Sequence, residues 1–177
     1  MRKTLAVMMG ALLATGAAFA NDESLSERAT HTLERLANDN PETNRVVNRA
    51  AGLLVFPGVI KAGAGLGAEY GKGVLFEHGA VTGTYNQVSG SIGLQLGVQK
   101  RAQVIAFLDP AALAKFKASK GWEAGVDGSV VIADKGVGAQ ADTKEINAPI
   151  IGYVLDEKGL MYNASLEGTK ITQIDSD

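Results

Sequence analysis

Glycine is absent from residues 21–51, whereas residues 52–168 hold every glycine that follows the first twenty positions. Because glycine lacks a Cβ, it lets two backbones pass close together, and it weakens any regular element that contains it. The partition predicts a helical segment that gives way near Gly52 to a long β-rich segment. Within that segment Gly63, Gly65 and Gly67 alternate, so a strand would place them on one nearly bare face.

The first twenty residues have the pattern of a secretory signal peptide. Arg2 and Lys3 give a positive start, a short apolar run covers residues 5–13, and Ala18-Phe19-Ala20 forms a small-x-small cleavage site. The apolar run is shorter than the ~20 residues of a usual membrane-spanning helix. We therefore predict a signal peptide at residues 1–20, cleavage after Ala20 and export to the periplasm.

Cleavage would leave roughly 157 residues, enough for one domain with a substantial core, at 21–177. Loss of two basic residues leaves 15 against 19 acidic ones, a net charge of about −4. That balance does not suggest nucleic acid as a partner. The chain has no cysteine, which excludes disulfides and thiolate metal sites.

Capping signals predict three helices. Ser24 and Glu27 have the spacing of a capping box, and apolar residues then recur at helical spacing to about Asn38. Asn40-Pro41 starts a second helix that Gly52 is predicted to end. Asp109-Pro110 opens a third helix, which is predicted to run to Ser119 with Leu113 and Phe116 facing inward.

Alternating apolar residues predict most of the remaining chain as strands. Turns are predicted at residues 70–73, 78–79, 156–159 and 167–168, and Pro57 is predicted to stop the first strand. The predicted strands cover residues 53–57, 59–68, 74–77, 89–99, 103–108, 126–133, 150–155, 160–166 and 169–174.

The predicted fold class is α+β. Two N-terminal helices form a leader at 23–51, and a β-rich body follows at 53–174 with seven to nine mostly antiparallel strands and one inserted helix. The sequence leaves open whether this glycine-rich sheet is open, sandwiched or closed into a barrel.

Signals for catalysis, cofactors and metals are weak. Gly63-x-Gly65-x-x-Ala68 resembles a dinucleotide fingerprint, but that site needs a helix directly afterwards, and Gly71 and Gly73 oppose one. His31 and His78 are the only histidines, too few for a zinc site without cysteine. No Gly-x-Ser-x-Gly elbow is present, and Ser89 and Ser91 have no base nearby in the sequence. We predict no catalytic residue, no metal site and no cofactor.

Four basic residues lie at predicted strand ends or turns of the glycine-rich hairpins: Lys61, Lys72, Lys100 and Arg101. If these ends gather, they form a positive rim around a surface that is low in side-chain bulk. Cations and bare backbone N–H groups would suit the phosphate of a lipid headgroup. The alternative is that these are separate, solvated surface charges.

Several segments together resemble the SYLF domain family, over roughly residues 33–174. The segments are Val55-Phe56-Pro57, Ile60-Lys61-Ala62-Gly63-Ala64-Gly65-Leu66-Gly67, Gly73-Val74-Leu75, Gly93-Leu94-Gln95-Leu96-Gly97 and Gly159-Leu160-Met161-Tyr162-Asn163-Ala164-Ser165-Leu166-Glu167-Gly168. The resemblance implies a lipid-binding module. Eukaryotic members bind phosphoinositides and some bind actin, whereas bacterial relatives are exported.

Two functional hypotheses follow. The first is a non-enzymatic periplasmic module that binds a phospholipid or another amphiphile, or a membrane surface. Its predicted lipid-binding residues are Lys61, Gly63, Gly65, Gly67, Lys72, Lys100 and Arg101. The second is a structural or interaction protein of the bacterial envelope, in which the glycines only permit close packing and the functional surface meets another protein. Neither hypothesis fixes the oligomeric state.

Overall fold

A computed structural model describes residues 23–133, 148–161 and 164–174; the predicted signal peptide lies outside them. The described residues form three helices and seven strands. In chain order these are α1 Leu25–Ala37, α2 Pro41–Arg49, β1 Gly52–Glu77, β2 Ala80–Phe107, α3 Pro110–Ala118, β3 Trp122–Glu123, β4 Val131–Ile132, β5 Ile150–Asp156, β6 Gly159–Leu160 and β7 Lys170–Ile174.

The predicted helices are confirmed, and their caps explain where they begin. The Glu27 N–H donates to the Ser24 hydroxyl at 3.2 Å, and the Glu27 carboxylate accepts from the Ser24 N–H at 2.7 Å. Asn40 and Thr43 form a similar capping box on α2, whereas Asp109 caps α3 by accepting from the Ala111 N–H. The end of α2 differs from the prediction, because Gly52 belongs to β1, where a Cβ would lie 2.8 Å from Leu113.

One long antiparallel hairpin, β1 with β2, dominates the fold. Its turn is His78-Gly79, as predicted, and both residues have positive φ angles (51° and 80°), as a tight hairpin turn requires. The predicted stop at Pro57 is wrong, because the ladder shifts register between Phe56 and Val59 and the strand continues. Proline is tolerated at such a bulge because no ladder hydrogen bond is needed there.

The predicted turn at residues 70–73 is also wrong, since these residues continue β1. Their glycines permit close packing instead. A Cβ on Gly71 would lie 3.0 Å from Val59, and one on Gly73 would lie 2.5 Å from both the Phe56 ring and the Val55 carbonyl. The later part of β1 therefore packs directly against its earlier part.

The hairpin consequently folds back on itself as a ribbon with two arms. We call residues 52–62 with 98–107 the first arm, and residues 66–77 with 80–92 the second arm. The bend between them lies at Gly63–Gly67, where a Cβ on Gly63 would lie 2.4 Å from the Gly67 Cα. Glycine at a sharp strand corner has this role in barrels.

The remaining strands extend the sheet from the free edge of β2. β7 pairs with the second arm at Thr84–Val88, and β5 pairs with the first arm at Ala102–Phe107. All described pairings between strands are antiparallel except that of β4 with β5. The result is an α+β fold with a curled, half-barrel sheet. Two predicted strands shrink, 126–133 to β4 and 160–166 to β6, and β3 was not predicted.

Two apolar clusters stabilise this arrangement. The first lies inside the folded ribbon, where Phe56, Leu75 and Phe107 pack with Phe116 of α3 and with Trp122. The second lies on the opposite face of the sheet and is covered by the leading helices. It contains Ala29 and Leu36 of α1 packed with Leu53, Val55, Val74, Val104 and Tyr153. The apolar side of α1 therefore faces the sheet.

Candidate functional site

Two of the four predicted cations come together, and the other two lie apart from them. Cross-strand pairing sets Arg101 opposite Val59 and Lys100 opposite Ile60, one residue before Lys61. All three belong to the first arm near the bend, but successive strand side chains alternate between faces, so Lys100 lies on the face opposite to that of Lys61 and Arg101. Lys72 is exposed on the second arm, opposite Asn86. The predicted rim thus divides into the pair of Lys61 and Arg101 and two separate lysines.

A buried carboxylate holds two of these cations. Arg101 donates through Nη2 to Oε1 of Glu69, and Lys61 Nζ lies 3.6 Å from the same oxygen. The Glu69 side chain is only 7% exposed and that of Arg101 13%. Glu69 compensates both charges, so neither cation is available to a headgroup in this conformation. If the alternation of residues 59–68 is continued by one residue, Glu69 falls on the face of Lys61, which is the signal that could have found it.

The interior beside this ion pair is polar. Gln87 is the cross-strand partner of Gly71, and Arg101 is the cross-strand partner of Val59. Gly71 packs against Val59, so the two pairs are neighbours. The pairing therefore directs Gln87, Gln103 and Arg101 into one region between the arms. Within the described chain, Gln87 Oε1, Gln103 Oε1 and Arg101 Nε are buried without a protein hydrogen-bond partner. Polar atoms at such depth are commonly satisfied by ordered water.

Lys100 and Lys72 are the accessible cations of the set. Both are exposed, and neither forms an ion pair with another residue in the parts of the chain that the structure describes. The stem of Lys100 lies along Gly58, where a Cβ would be 3.2 Å from the Lys100 Cε. The bare backbone at Gly58 thus gives the lysine stem a surface to lie on.

Gly63 and Gly67 meet at the inside corner of the bend. The space beside Gly63 is taken by Gly67 and by the Leu66 carbonyl, whose oxygen would lie 2.4 Å from a Gly63 Cβ. Gly65 pairs with Gly93 across the hairpin. The geometry gives Gly63 a packing role, and lipid contact by Gly63, Gly65 and Gly67 stays a prediction.

The outer side of the bend carries exposed apolar side chains. Leu66 is 76% exposed, Val98 74% and Ile60 49%, and Ala62 is the cross-strand partner of Val98. We call Ile60, Ala62, Leu66 and Val98 the bend surface. Sequence alternation sets Ile60, Ala62 and Leu66 on the face opposite to Gly63, Gly65 and Gly67. The bend turns the side of Gly63 inward and the apolar side outward.

The same described residues supply no other obvious chemistry. They contain no group of three or more histidine, aspartate or glutamate side chains arranged to hold a metal ion. None of the helices in residues 23–133, 148–161 and 164–174 is long and apolar enough to cross a membrane. Among the described residues, the bend surface with its neighbouring lysines is therefore the clearest candidate for a functional surface.

Comparison with known proteins gives two matches. A family model described as "Ysc84: Las17-binding protein actin regulator" matches residues 88–177, which include most of β2 and all later strands. The chain is also similar to Beta cell expansion factor A of Aeromonas veronii, with 31% identity over 153 residues. That alignment covers 83% of this chain and 55% of the relative, so the chain spans about half the length of this curated relative.

Proposed function

Because the chain belongs to the SYLF family, to which the matching Ysc84 model corresponds, we propose that it is a non-enzymatic lipid-binding module of the bacterial periplasm. Family membership itself supports a lipid-binding or interaction module. The periplasmic location comes from the signal-peptide pattern, and the preference for phospholipid comes from the site. The activity of the longer relative is a property of that protein.

The proposal depends chiefly on Lys100, an exposed lysine that lies directly beside exposed apolar side chains. Lys100 is the cross-strand partner of Ile60, so a cation and an apolar group share one surface. A membrane of anionic phospholipid offers the complement of both, namely phosphate at the surface and acyl chains below it. Lys72 adds a second accessible cation on the other arm.

The other predicted residues have supporting parts in this proposal. Lys61 and Arg101 are paired with Glu69, so a phosphate could contact them only by displacing that carboxylate. Gly63, Gly65 and Gly67 permit the bend and thereby expose its outer side chains. No catalytic step and no cofactor belongs to the proposal.

Vesicle flotation of the mature chain tests the proposal. We expect binding to phosphatidylglycerol vesicles and weaker binding to phosphatidylcholine vesicles. A lysine near an anionic surface contributes ~1 kcal/mol, so Lys72→Gln with Lys100→Gln should weaken anionic binding about 30-fold. The control, Lys120→Gln with Lys158→Gln, removes the same charge from exposed positions outside the bend surface. Absence of binding to either vesicle, even at low salt, would overturn the proposal.

Native mass spectrometry separates lipid binding from the alternative of an envelope interaction protein. Lipid binding predicts phospholipid adducts on the purified mature chain. A chain that carries no lipid, and that forms defined cross-links to another envelope protein in intact cells, would favour the alternative.

A further inference from the structure

We propose that the bend surface is the part of this protein that enters the bilayer, at the boundary between the headgroups and acyl chains of an anionic phospholipid membrane. The inference rests on the proposed lipid-binding function and specifies the surface that performs it. It concerns Ile60, Ala62, Leu66 and Val98.

The first support is exposure at a single place in the fold. Leu66 belongs to the second arm and Val98 to the first, yet the pairing of Gly63 with Gly97 and of Gly65 with Gly93 brings both to the same bend. Single exposed apolar residues are ordinary, whereas a group of them marks an interaction surface. In contrast, the leading helices bury their apolar sides against the sheet.

The second support is the form of the surface. The bend turns the side of Gly63 inward, towards Gly67, and its apolar side chains lie exposed on the outside of the corner. A stable protein interface usually buries ~800 Å² on each partner. Four side chains on the outside of one corner supply well under that area, whereas they can enter the interfacial layer of a membrane one by one.

The third support is the position of the cations. Lys100 lies opposite Ile60, and its four-carbon stem allows the ammonium group to remain among headgroups while Ile60 goes deeper. Lys72 lies six residues beyond Leu66 on the same strand. Positive charge next to exposed apolar side chains selects an anionic membrane over a purely apolar partner.

Site-specific fluorescence tests the proposal, because the chain has no cysteine and a single introduced one can be labelled uniquely. The probes are Leu66→Cys and Val98→Cys, each carrying an NBD fluorophore. The controls are Val126→Cys and Val81→Cys. Val126 is 73% exposed, as much as Val98, and Val81 lies beside the hairpin turn at the opposite end of the ribbon.

With phosphatidylglycerol vesicles, we expect a blue shift of NBD emission at Leu66 and Val98 and quenching by lipids brominated near the top of the acyl chain. The labels at Val126 and Val81 should not change. In the unlabelled protein, Leu66→Ser with Val98→Ser should lower vesicle affinity at least roughly tenfold, while Val126→Ser leaves it unchanged. Circular dichroism and thermal melts verify that the variants fold.

The outcomes separate the two proposals. Vesicle binding without a spectral change at Leu66 and Val98 overturns the membrane-entry proposal and leaves lipid binding intact. Absence of vesicle binding overturns both. A blue shift that occurs without lipid and rises with protein concentration identifies a second copy as the occupant, and also overturns membrane entry.

Discussion

Gly63 is a glycine because of what lies beside it, and its backbone angles are ordinary. Its φ is outside the positive range that favours glycine, so conformational freedom is not the reason. The reason is steric, since a Cβ would lie 2.4 Å from two backbone atoms, the Gly67 Cα and the Leu66 oxygen. Backbone atoms cannot move aside as the end of a side chain can. The bend therefore requires this glycine.

We predict that Gly63→Ala lowers the free energy of unfolding by about 1–3 kcal/mol, the usual cost of overpacking. Gly90→Ala is the matched control, since Gly90 lies in the same hairpin and a Cβ there would meet nothing within 4 Å. That control should change stability by less than ~0.5 kcal/mol. Chemical denaturation measures both, and equal effects would contradict the steric explanation.

Glu69 is the residue that decides how much positive charge the site presents. Its buried carboxylate compensates Arg101 and Lys61. Removal of one partner of a buried ion pair leaves the other charge buried without compensation, which is costly. The same removal frees two cations on the first arm near the bend.

We therefore predict opposite effects of Glu69→Gln on stability and on membrane binding. The free energy of unfolding should fall by about 1–3 kcal/mol, while affinity for phosphatidylglycerol vesicles should rise several-fold. Glu157→Gln, in the exposed turn between β5 and β6, makes the same change in net charge. If both variants bind vesicles equally, net charge and not the release of Arg101 and Lys61 is responsible.

At the scale of elements, the helices were predictable and the long strands were not. A helix cap is a local signal, and the hydroxyl, amide and carboxylate oxygens of Ser24, Asn40 and Asp109 act within three residues. The continuity of β1 depends instead on distant contacts. Gly71 and Gly73 looked like turn residues because the packing of Val59 and Phe56 against them is not visible in the local sequence.

One ion pair connects the hairpin turn to α3 and gives a pH-dependent contribution to stability. Lys117 of α3 donates to both Glu77 carboxylate oxygens, at 3.0 and 2.8 Å, and Thr82 donates to one of them at 2.5 Å. The hydrogen bond from Lys117, followed by that from Thr82, holds the pKa of Glu77 below its usual value of 4.5. The folded state thus favours the ionised carboxylate.

The sign of the pH dependence follows from that lowered pKa. The stabilisation is present above about pH 4.5 and is lost as the pH falls through the lower pKa of the folded state. We predict that Lys117→Met costs roughly 0.5–1 kcal/mol at pH 7, because the pair is partly exposed. The difference from the original chain should shrink towards pH 3 in urea titrations. A difference that is constant between pH 7 and pH 3 would contradict this assignment.

At the scale of the whole molecule, the sequence predicted the fold class and the family but not which side of the bend faces solvent. A helical leader and a β-rich body follow from residue type alone. Which side of an alternating strand faces solvent depends on the direction of the bend. At Ile60, Leu66 and Val98, that direction leaves apolar side chains exposed.

The prediction that remains at this scale concerns export, because it determines which membrane surfaces the protein can meet. Small residues at Ala18 and Ala20 occupy the positions that a signal peptidase reads before the cleaved bond. The periplasmic fraction of an expressing bacterium should contain a chain whose intact mass begins at Asn21. Ala18→Arg should leave the precursor uncleaved, because a long charged side chain does not fit a small-residue site, whereas Thr15→Arg serves as a control for added charge. A chain of full mass in the cytoplasm would contradict export. The bend surface would then meet a different set of membranes.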